Sequence, residues 1–462
     1  MTKDLRTFLS DLEKSGRLIK ISKPVDHANE LSELSFQANR LQGKAILFEN
    51  IKGYQQWRAV GSLFSNRMNI SIALGLDNNV SAGVIANKVQ EKGLTKCKLV
   101  STGPVKQVIM RGKDASLGKL PISVVNDIDA GPFVASGMFV CRDPDTGNQN
   151  VAMHRHHVKS ENKMGVGLAP RHTWMILKKY EKLKKPMPAA IVIGHHGAVY
   201  LGATWTGSFG IDEFEVASTL LGEPIERVKC ETNDLEVPAH AEIIIEGEVP
   251  PFIREPEGPF GEHTGCTSGA AVNPVFNVKA ITTRNDPIYY SMTVEPPSDE
   301  QILDAIPIEV GLYNRLKDIG SYVELKNVVV LECSGGAHVV VVQMIPRFEG
   351  EAKQVLMAAL AGEYIHPKIA IAVDDDVNPY DPGDVFWAIS TKVNPEKDVF
   401  IVPGVRGSVL DISLPRAGMQ RIGGKMGIDA TKPPTERQED RQSMRRFFSK
   451  GHGKVHLKDF LS

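Results

Sequence analysis

Between residues 100 and 290 the chain reads as one β-forming run after another, each closed by glycine or proline, and no other feature constrains the fold as much. The runs include Ser136 to Cys141, Ala189 to Gly194, the alternating Glu242 to Val249, and Val275 to Thr283, so this stretch is a sheet-rich domain. One helix interrupts it, Thr173 to Lys185. Its lysine-rich end forms a solvated basic face and stops at Pro186. Ahead of the sheet, residues 1–45 are helical, with Leu5, Phe8, Leu9 and Leu12 on one face and a second amphipathic run from Glu30.

After Asp299 the pattern changes. Glu300 to Arg315 reads as a connecting helix, and strands and helices then alternate: Asn327 to Leu331, Val339 to Ile345, the helix Glu351 to Ala361, Ile369 to Val373 and the helix Asp384 to Ser390. A chain of 462 residues exceeds the roughly 250 to 300 over which a single core grows. The expected organisation is therefore α/β (α+β): a sheet-rich domain over 1–299, a connecting helix over 300–320, a smaller α/β domain over 321–422 and a tail over 423–462. The tail ends in the amphipathic His456 to Leu461 and has too little core of its own, so it is expected to dock on a neighbour.

Lys plus Arg number 54 and Asp plus Glu 55, which leaves no whole-molecule attraction for nucleic acid or anionic lipid. The charged start Thr2-Lys3-Asp4-Leu5-Arg6, with no run approaching the ~18 uninterrupted apolar residues of a membrane span, leads to the expectation of a soluble, cytoplasmic protein. Five scattered cysteines without a CxxC suggest neither a disulfide framework nor a thiolate zinc site.

Three polar clusters carry candidate chemistry. The first is Asn148 to His157, which follows a strand and the turn Asp143-Pro144-Asp145-Thr146-Gly147. On a regular strand Asn150, Ala152 and His154 face one way and Arg155 and His157 the other, so the histidines are no local metal trio, and His156 and His157 read as structural or surface residues. The second, Arg254 to Gly265, holds Glu257 and Glu262 on a stiff backbone rich in Gly and Pro. The third, Gly210 to Glu215, opens a helix running to Leu221, where Glu213 on its own is an ordinary complement to the helix dipole. His172, beside Arg171 at the start of the basic helix, is a cap-region residue or a metal ligand. Asp374-Asp375-Asp376 closes a buried strand and reads first as a solvated strand end. There is no GxxxxGK[ST], GxGxxG, GxSxG or HExxH motif.

Together these segments resemble the UbiD family of decarboxylases, which use prenylated FMN. The resemblance runs from Leu5-Arg6-Thr7-Phe8-Leu9 to the segment Gly424 to Thr431, and is most specific in Asn150-Val151-Ala152-Met153-His154-Arg155, in Val228 to Ala239 and in Pro256-Glu257-Gly258-Pro259-Phe260-Gly261-Glu262. It implies a split-barrel-like flavin-binding domain joined by the helix to a smaller oligomerisation domain. It also implies a catalytic set of Arg155, Glu257 and Glu262, and a Mn²⁺ (or Mg²⁺) ion held by Asn150, His172 and Glu213, with Glu215 as the alternative one helical step on. Cofactor contacts would fall on Asn150, Ala152, Met153, Arg155, Arg171, His172, Thr204, Glu213 and Lys368, with K⁺ as a further ion.

The implied reaction is non-oxidative, reversible decarboxylation of an aromatic, heteroaromatic or α,β-unsaturated acid. Arg155 would hold the carboxylate, a covalent adduct with the prenylated flavin would take up the electrons, and Glu262 would protonate the carbon left behind. Asn150 and Arg155 stand five apart, so a bend between them is expected, or metal and flavin ring on two sides of the segment. Met292 to Leu303 should form part of the substrate wall, and Leu414 and Pro415 should lie where the smaller domain closes the pocket. Implied partners are the acid and CO2, a flavin prenyltransferase as cofactor supplier, and further copies of the chain in a homodimer or homohexamer. Competing readings are a divalent-metal-dependent hydrolase using Asn150, His172 and Glu213, and a non-catalytic cofactor-binding subunit. The first leaves Arg155 and its two glutamates without a task, and the second would be favoured by loss of the arginine or an acid, none of which is lost.

Overall fold

The β-forming runs of the middle of the chain assemble into a ten-stranded antiparallel sheet. The computed structural model describes residues 2–64, 66–76, 80–267, 269–319, 323–362, 364–417, 420–451 and 454–460. The long strand Ala271–Thr283 organises the sheet, pairing with Lys163–Val166, Ile243–Val249, Arg254–Glu257 and Val108–Arg111. From Ile243–Val249 the order continues through Met187–Ile193 and Met138–Arg142 to the edge strand Gln149–Met153. In the other direction it passes Lys163–Val166 to reach His156–Ser160 and Phe133–Val134.

That order has a geometric consequence. Gln149–Met153 and His156–Ser160 lie toward opposite ends of the sheet, yet only His154 and Arg155 separate them in the chain. Three Cα steps reach at most about 11 Å, so the sheet must curl until its ends approach each other. No ladder among the described residues joins the two strands, and the result is an open, split barrel with Arg155 at the seam. Curling is helped by register shifts between Glu246 and Gly247 and between Lys163 and Met164.

A second, four-stranded sheet, Leu18–Ile21, Ala45–Phe48, Arg58–Gly61 and Ile288–Ser291, carries the N-terminal helices. The first of these, Leu5–Lys14, is closed by a capping box between Asp4 and Thr7 and buries the predicted face of Leu5, Phe8, Leu9 and Leu12. The helix predicted from Thr173 is His172–Lys182, ending short of Lys185.

The connecting helix, Asp299–Lys317, starts at a capping box between Ser298 and Gln301. It is shared by two cores: Ile302, Leu303, Ile306 and Val310 pack into the large one, while Ala305, Ile308, Leu312 and Leu316 pack against the smaller sheet. In that smaller sheet, Val340 and Val342 of Val339–Ile345 point to one side and Val341 to the other, and both sides are covered. Burial on both faces explains the unbroken valine run.

Two expectations need correction. The expected tail does not begin at Gly423, because Gln420–Ala430 is a strand held between Ile369–Val373 and Val399–Gly407. The glycines that suggested a tail make room for neighbouring side chains: a Cβ on Gly427 would stand 2.2 Å from the Phe400 ring. Asp374 is also no solvated strand end. It is fully buried, accepts hydrogen bonds from the Lys432 N–H (2.5 Å) and Arg441 (2.6 Å), and lies 3.4 Å from the Lys392 ammonium. The expected boundary at 320–321 and Leu461 lie outside the described residues. Among the described residues, Leu457 and Phe460 of the C-terminal end are exposed, no helix is long and apolar enough to cross a membrane, and all five cysteines are free.

Candidate active site

Arg155 sits where regular pairing stops. The edge strand ends at Met153 and the next begins at His156, so the expected bend is present, and the guanidinium leaves the sheet at the seam. Two carboxylates wait for it there. Glu257, the last residue of Arg254–Glu257 and fully buried, accepts both Arg155 Nε (2.9 Å) and Nη2 (3.0 Å), while Nη1 donates to Glu262. This is a planar, bidentate grip on one side and a single contact on the other. Burial opposes the charge on Arg155, but Glu262 and Glu257 outweigh it and hold the guanidinium protonated beyond its ordinary range. Asn273 donates to the second Glu257 oxygen (2.8 Å), and the Phe260 ring lies 5.4 Å from the guanidinium carbon.

Space for this arrangement comes from glycine. A Cβ on Gly167 would stand 3.0 Å from Arg155 Nε and 3.1 Å from its Cγ. We expect Gly167→Ala to leave the fold intact and shift the guanidinium, lowering kcat by about 10- to 100-fold. Steady-state kinetics alongside a circular dichroism spectrum will check this, and unchanged kcat would contradict it.

A cavity of about 680 Å³ opens in front of Arg155, within the range of small-molecule sites. Of the predicted residues, Asn150, Ala152, Met153, Arg155, Arg171, His172, Thr204, Glu213 and Glu262 all line it, and Glu257 stands behind Arg155. Lys368 does not: its ammonium is taken by Asp411 (3.0 Å) and Ser413 (2.5 Å). Glu213, and not Glu215, faces the cavity, because Glu215 pairs outward with Lys96 at 2.9 Å. Leu414 and Pro415 are replaced at the wall by Val409 and Leu410, with Ile365 and His366 from the same smaller unit.

The residues expected to hold a metal fit one. Glu213 opens the helix Glu213–Leu221 and accepts the unpaired N–H of Val151 on the edge strand (2.7 Å). Burial pushes its carboxyl up to about 8, and no ion pair among the described residues neutralises it. Asn150 is held through Thr173 Oγ1 (3.2 Å), which also meets His154 Nε2 (3.1 Å). Burial, and then the neighbouring Arg171, depress His172, which favours the neutral imidazole a metal needs. Amide oxygen, imidazole and carboxylate together suit Mn²⁺ or Mg²⁺. A phosphate also has a place, since the helix His172–Lys182 begins at Arg171 with no side-chain cap on its free N–H groups.

His154 lines the cavity, whereas His156 and His157 pack within the sheet. Burial pushes His154 down to about 3 and His156 to about 4, so both are neutral. His156 Nδ1 lies 3.2 Å from the Val134 carbonyl, and His157 stacks on Phe133 at 4.5 Å. Met292, Glu300 and Leu303 line the cavity from the segment expected as substrate wall, while Asp304 and His263 go unmarked in the sequence reading; Glu300 and Asp304 form an acid pair on the connecting helix beside His263. Their four-residue spacing on a predicted helix was the available signal.

Comparison with known proteins identifies the family. The sequence matches three models of the 3-octaprenyl-4-hydroxybenzoate carboxy-lyase: the N-terminal domain over residues 9–89, the Rift-related domain over 98–297 and the C-terminal domain over 301–430. Among solved structures, the UbiD-class enzyme HmfF from Pelotomaculum thermopropionicum in complex with FMN is 36% identical over 99% of this chain and 100% of that one, with a TM-score of 0.89. An evolved dimeric form of HmfF in complex with prFMN is 35% identical, covers 100% of both chains and has a TM-score of 0.87. Vanillic acid decarboxylase from Sedimentibacter hydroxybenzoicus, in an open form, is 30% identical over 99% of this chain and 98% of that one, with a TM-score of 0.85. With 36% identity over nearly its whole length and all three domain matches in order, the chain belongs to the UbiD family of carboxy-lyases.

Proposed function

We propose that the protein catalyses non-oxidative, reversible decarboxylation of an aromatic, heteroaromatic or α,β-unsaturated carboxylic acid, with prenylated FMN as cofactor and Mn²⁺ or Mg²⁺ at Asn150, His172 and Glu213. The observation that carries this reading is the buried Glu257–Arg155–Glu262 set at the mouth of a cavity large enough for a flavin and a small acid. Relatives bound to FMN and to prFMN support the cofactor, and the dimeric relative supports a homo-oligomer.

The chain's own residues divide the work. Arg155 keeps its fork between Glu257 and the cavity, where it can orient a substrate carboxylate. Glu262, buried beside it, is the group placed to deliver a proton to the carbon that loses CO2. Arg171 and the helix start at His172 would hold the cofactor phosphate, and Asn150, His172 and Glu213 would hold its metal. When bound, prenylated FMN supplies the electron sink for loss of CO2. Phe260 and the buried walls exclude water around the guanidinium.

The test is protein produced with and without a co-expressed flavin prenyltransferase, followed by absorbance, cofactor mass spectrometry and CO2 release from a panel of acids. Prenylated FMN and CO2 release only in the co-expressed sample are the expected result. Protein that binds one divalent metal and no flavin would overturn the reading in favour of metal-dependent hydrolysis.

A further inference from the structure

Two acids of the cavity wall, Glu300 and Asp304, stand beside a buried histidine, His263. His263 follows Glu262 in the chain, is 1% exposed, and neither ring nitrogen finds a hydrogen-bond partner among the described residues. Its Nε2 side is packed against the loop at Gly336, where a Cβ would stand 2.6 Å from that nitrogen. Nδ1 points the other way, 3.3 Å from Asp304 Oδ2 and 3.8 Å from Glu300 Oε1. These short approaches lack hydrogen-bond geometry, and the second Glu300 oxygen is likewise buried without a partner.

A protonated imidazole paired with carboxylates turns an N–H toward an oxygen. Here nitrogen and oxygens face each other across a gap instead, and all three ligand atoms lie within 4.8 Å of one another. Ligands about 2.0–2.2 Å from a common ion stand roughly 3.0–3.5 Å apart in octahedral or tetrahedral arrangement, so His263 Nδ1 and Asp304 Oδ2, 3.3 Å apart, already have the spacing of neighbouring ligands, and Glu300, 3.8 Å from Nδ1, reaches it by a small side-chain rotation. Glu300 and Asp304 sit one turn apart on the capped start of the connecting helix, which holds them rigidly. Both line the cavity, leaving the remaining coordination positions open toward it.

The geometry points to a second metal site: His263 Nδ1, Glu300 and Asp304 bind a divalent transition-metal ion such as Zn²⁺ at the substrate end of the cavity, separate from Asn150, His172 and Glu213. One imidazole and two carboxylates with open positions form a donor set of this class. Glu262, Glu300 and Asp304 crowd carboxylates here: burial pushes Glu300 up to about 7, His263 opposes that rise, and Asp304 and Glu262 add to it. A cation relieves that crowding and offers a coordination point to an oxygen or nitrogen donor of the substrate away from its reacting carboxylate. This last role rests on the function proposed above, whereas the site itself does not.

The test is metal counting on the flavin-loaded full chain. Wild type, Asp304→Asn, Glu300→Gln and Glu213→Gln are each dialysed to equilibrium against Zn²⁺ in the low micromolar range and counted by inductively coupled plasma mass spectrometry. Asp304→Asn and Glu300→Gln should each hold one zinc ion fewer than wild type, with flavin content and thermal midpoint unchanged, and Glu213→Gln should keep the ion at His263. Unchanged zinc in both Asp304→Asn and Glu300→Gln would overturn the site, as would a wild-type count that only Glu213→Gln reduces. Flavin content and CO2 release report separately on decarboxylation.

Discussion

Glu262→Gln is expected to lower turnover by about 10²- to 10⁴-fold while the flavin stays bound, the range for loss of a positioned proton donor. The amide keeps the shape of the side chain and can still accept from Arg155, so the buried set is disturbed little. It cannot deliver a proton. Glu262 is 6% exposed, which leaves little room for bulk water to take over the task. Multiple-turnover product formation, measured beside flavin content and solvent-deuterium incorporation into product, checks this. Full activity with normal deuterium incorporation would remove Glu262 from the reaction.

Replacing Arg155 should damage stability and activity together. Arg155→Ala strands Glu257, which is fully buried and keeps only Asn273 among its present partners, and breaking a buried pair in this way costs about 3–5 kcal/mol. Arg155→Lys keeps the charge but loses the fork, so stability falls less while turnover still drops by about 10²-fold or more. Adding Glu257→Gln to Arg155→Ala should recover much of the lost stability and none of the activity, because the stranded charge is gone and the carboxylate anchor is not restored. Chemical denaturation and kinetics on the three variants separate the contributions. If the double variant unfolds as readily as Arg155→Ala, the stranded charge is not the cause of the destabilisation.

Much of the fold was legible because local pattern and tertiary demand agreed. The connecting helix announced itself through periodicity, and its capping residues Ser298 and Gln301 mark where it starts. The strand Val339–Ile345 was found at its true ends because burial on both faces demands an unbroken apolar run. Gln420–Ala430 was lost for the opposite reason: its glycines make sense only beside Phe400 and Leu414, which sequence does not bring together. The site shows the same division. Arg155 and Glu257 lie 102 residues apart, and nothing local says that they meet; resemblance to a family supplied what pattern could not. Lys368 shows the limit of that help, since Asp411 and Ser413 hold it outside the cavity.

The split barrel behaves like a ring cut at one point, whose gap width adds up the curvature of the whole circumference. Arg155 occupies the gap, so the spacing around its guanidinium is set by every strand between Gln149–Met153 and His156–Ser160, including the bulge at Glu246 and Gly247. Substrate preference in this scaffold is therefore tunable from positions that never touch the ligand: a residue added to or removed from a distant hairpin resets the distance between the two lips of the cut.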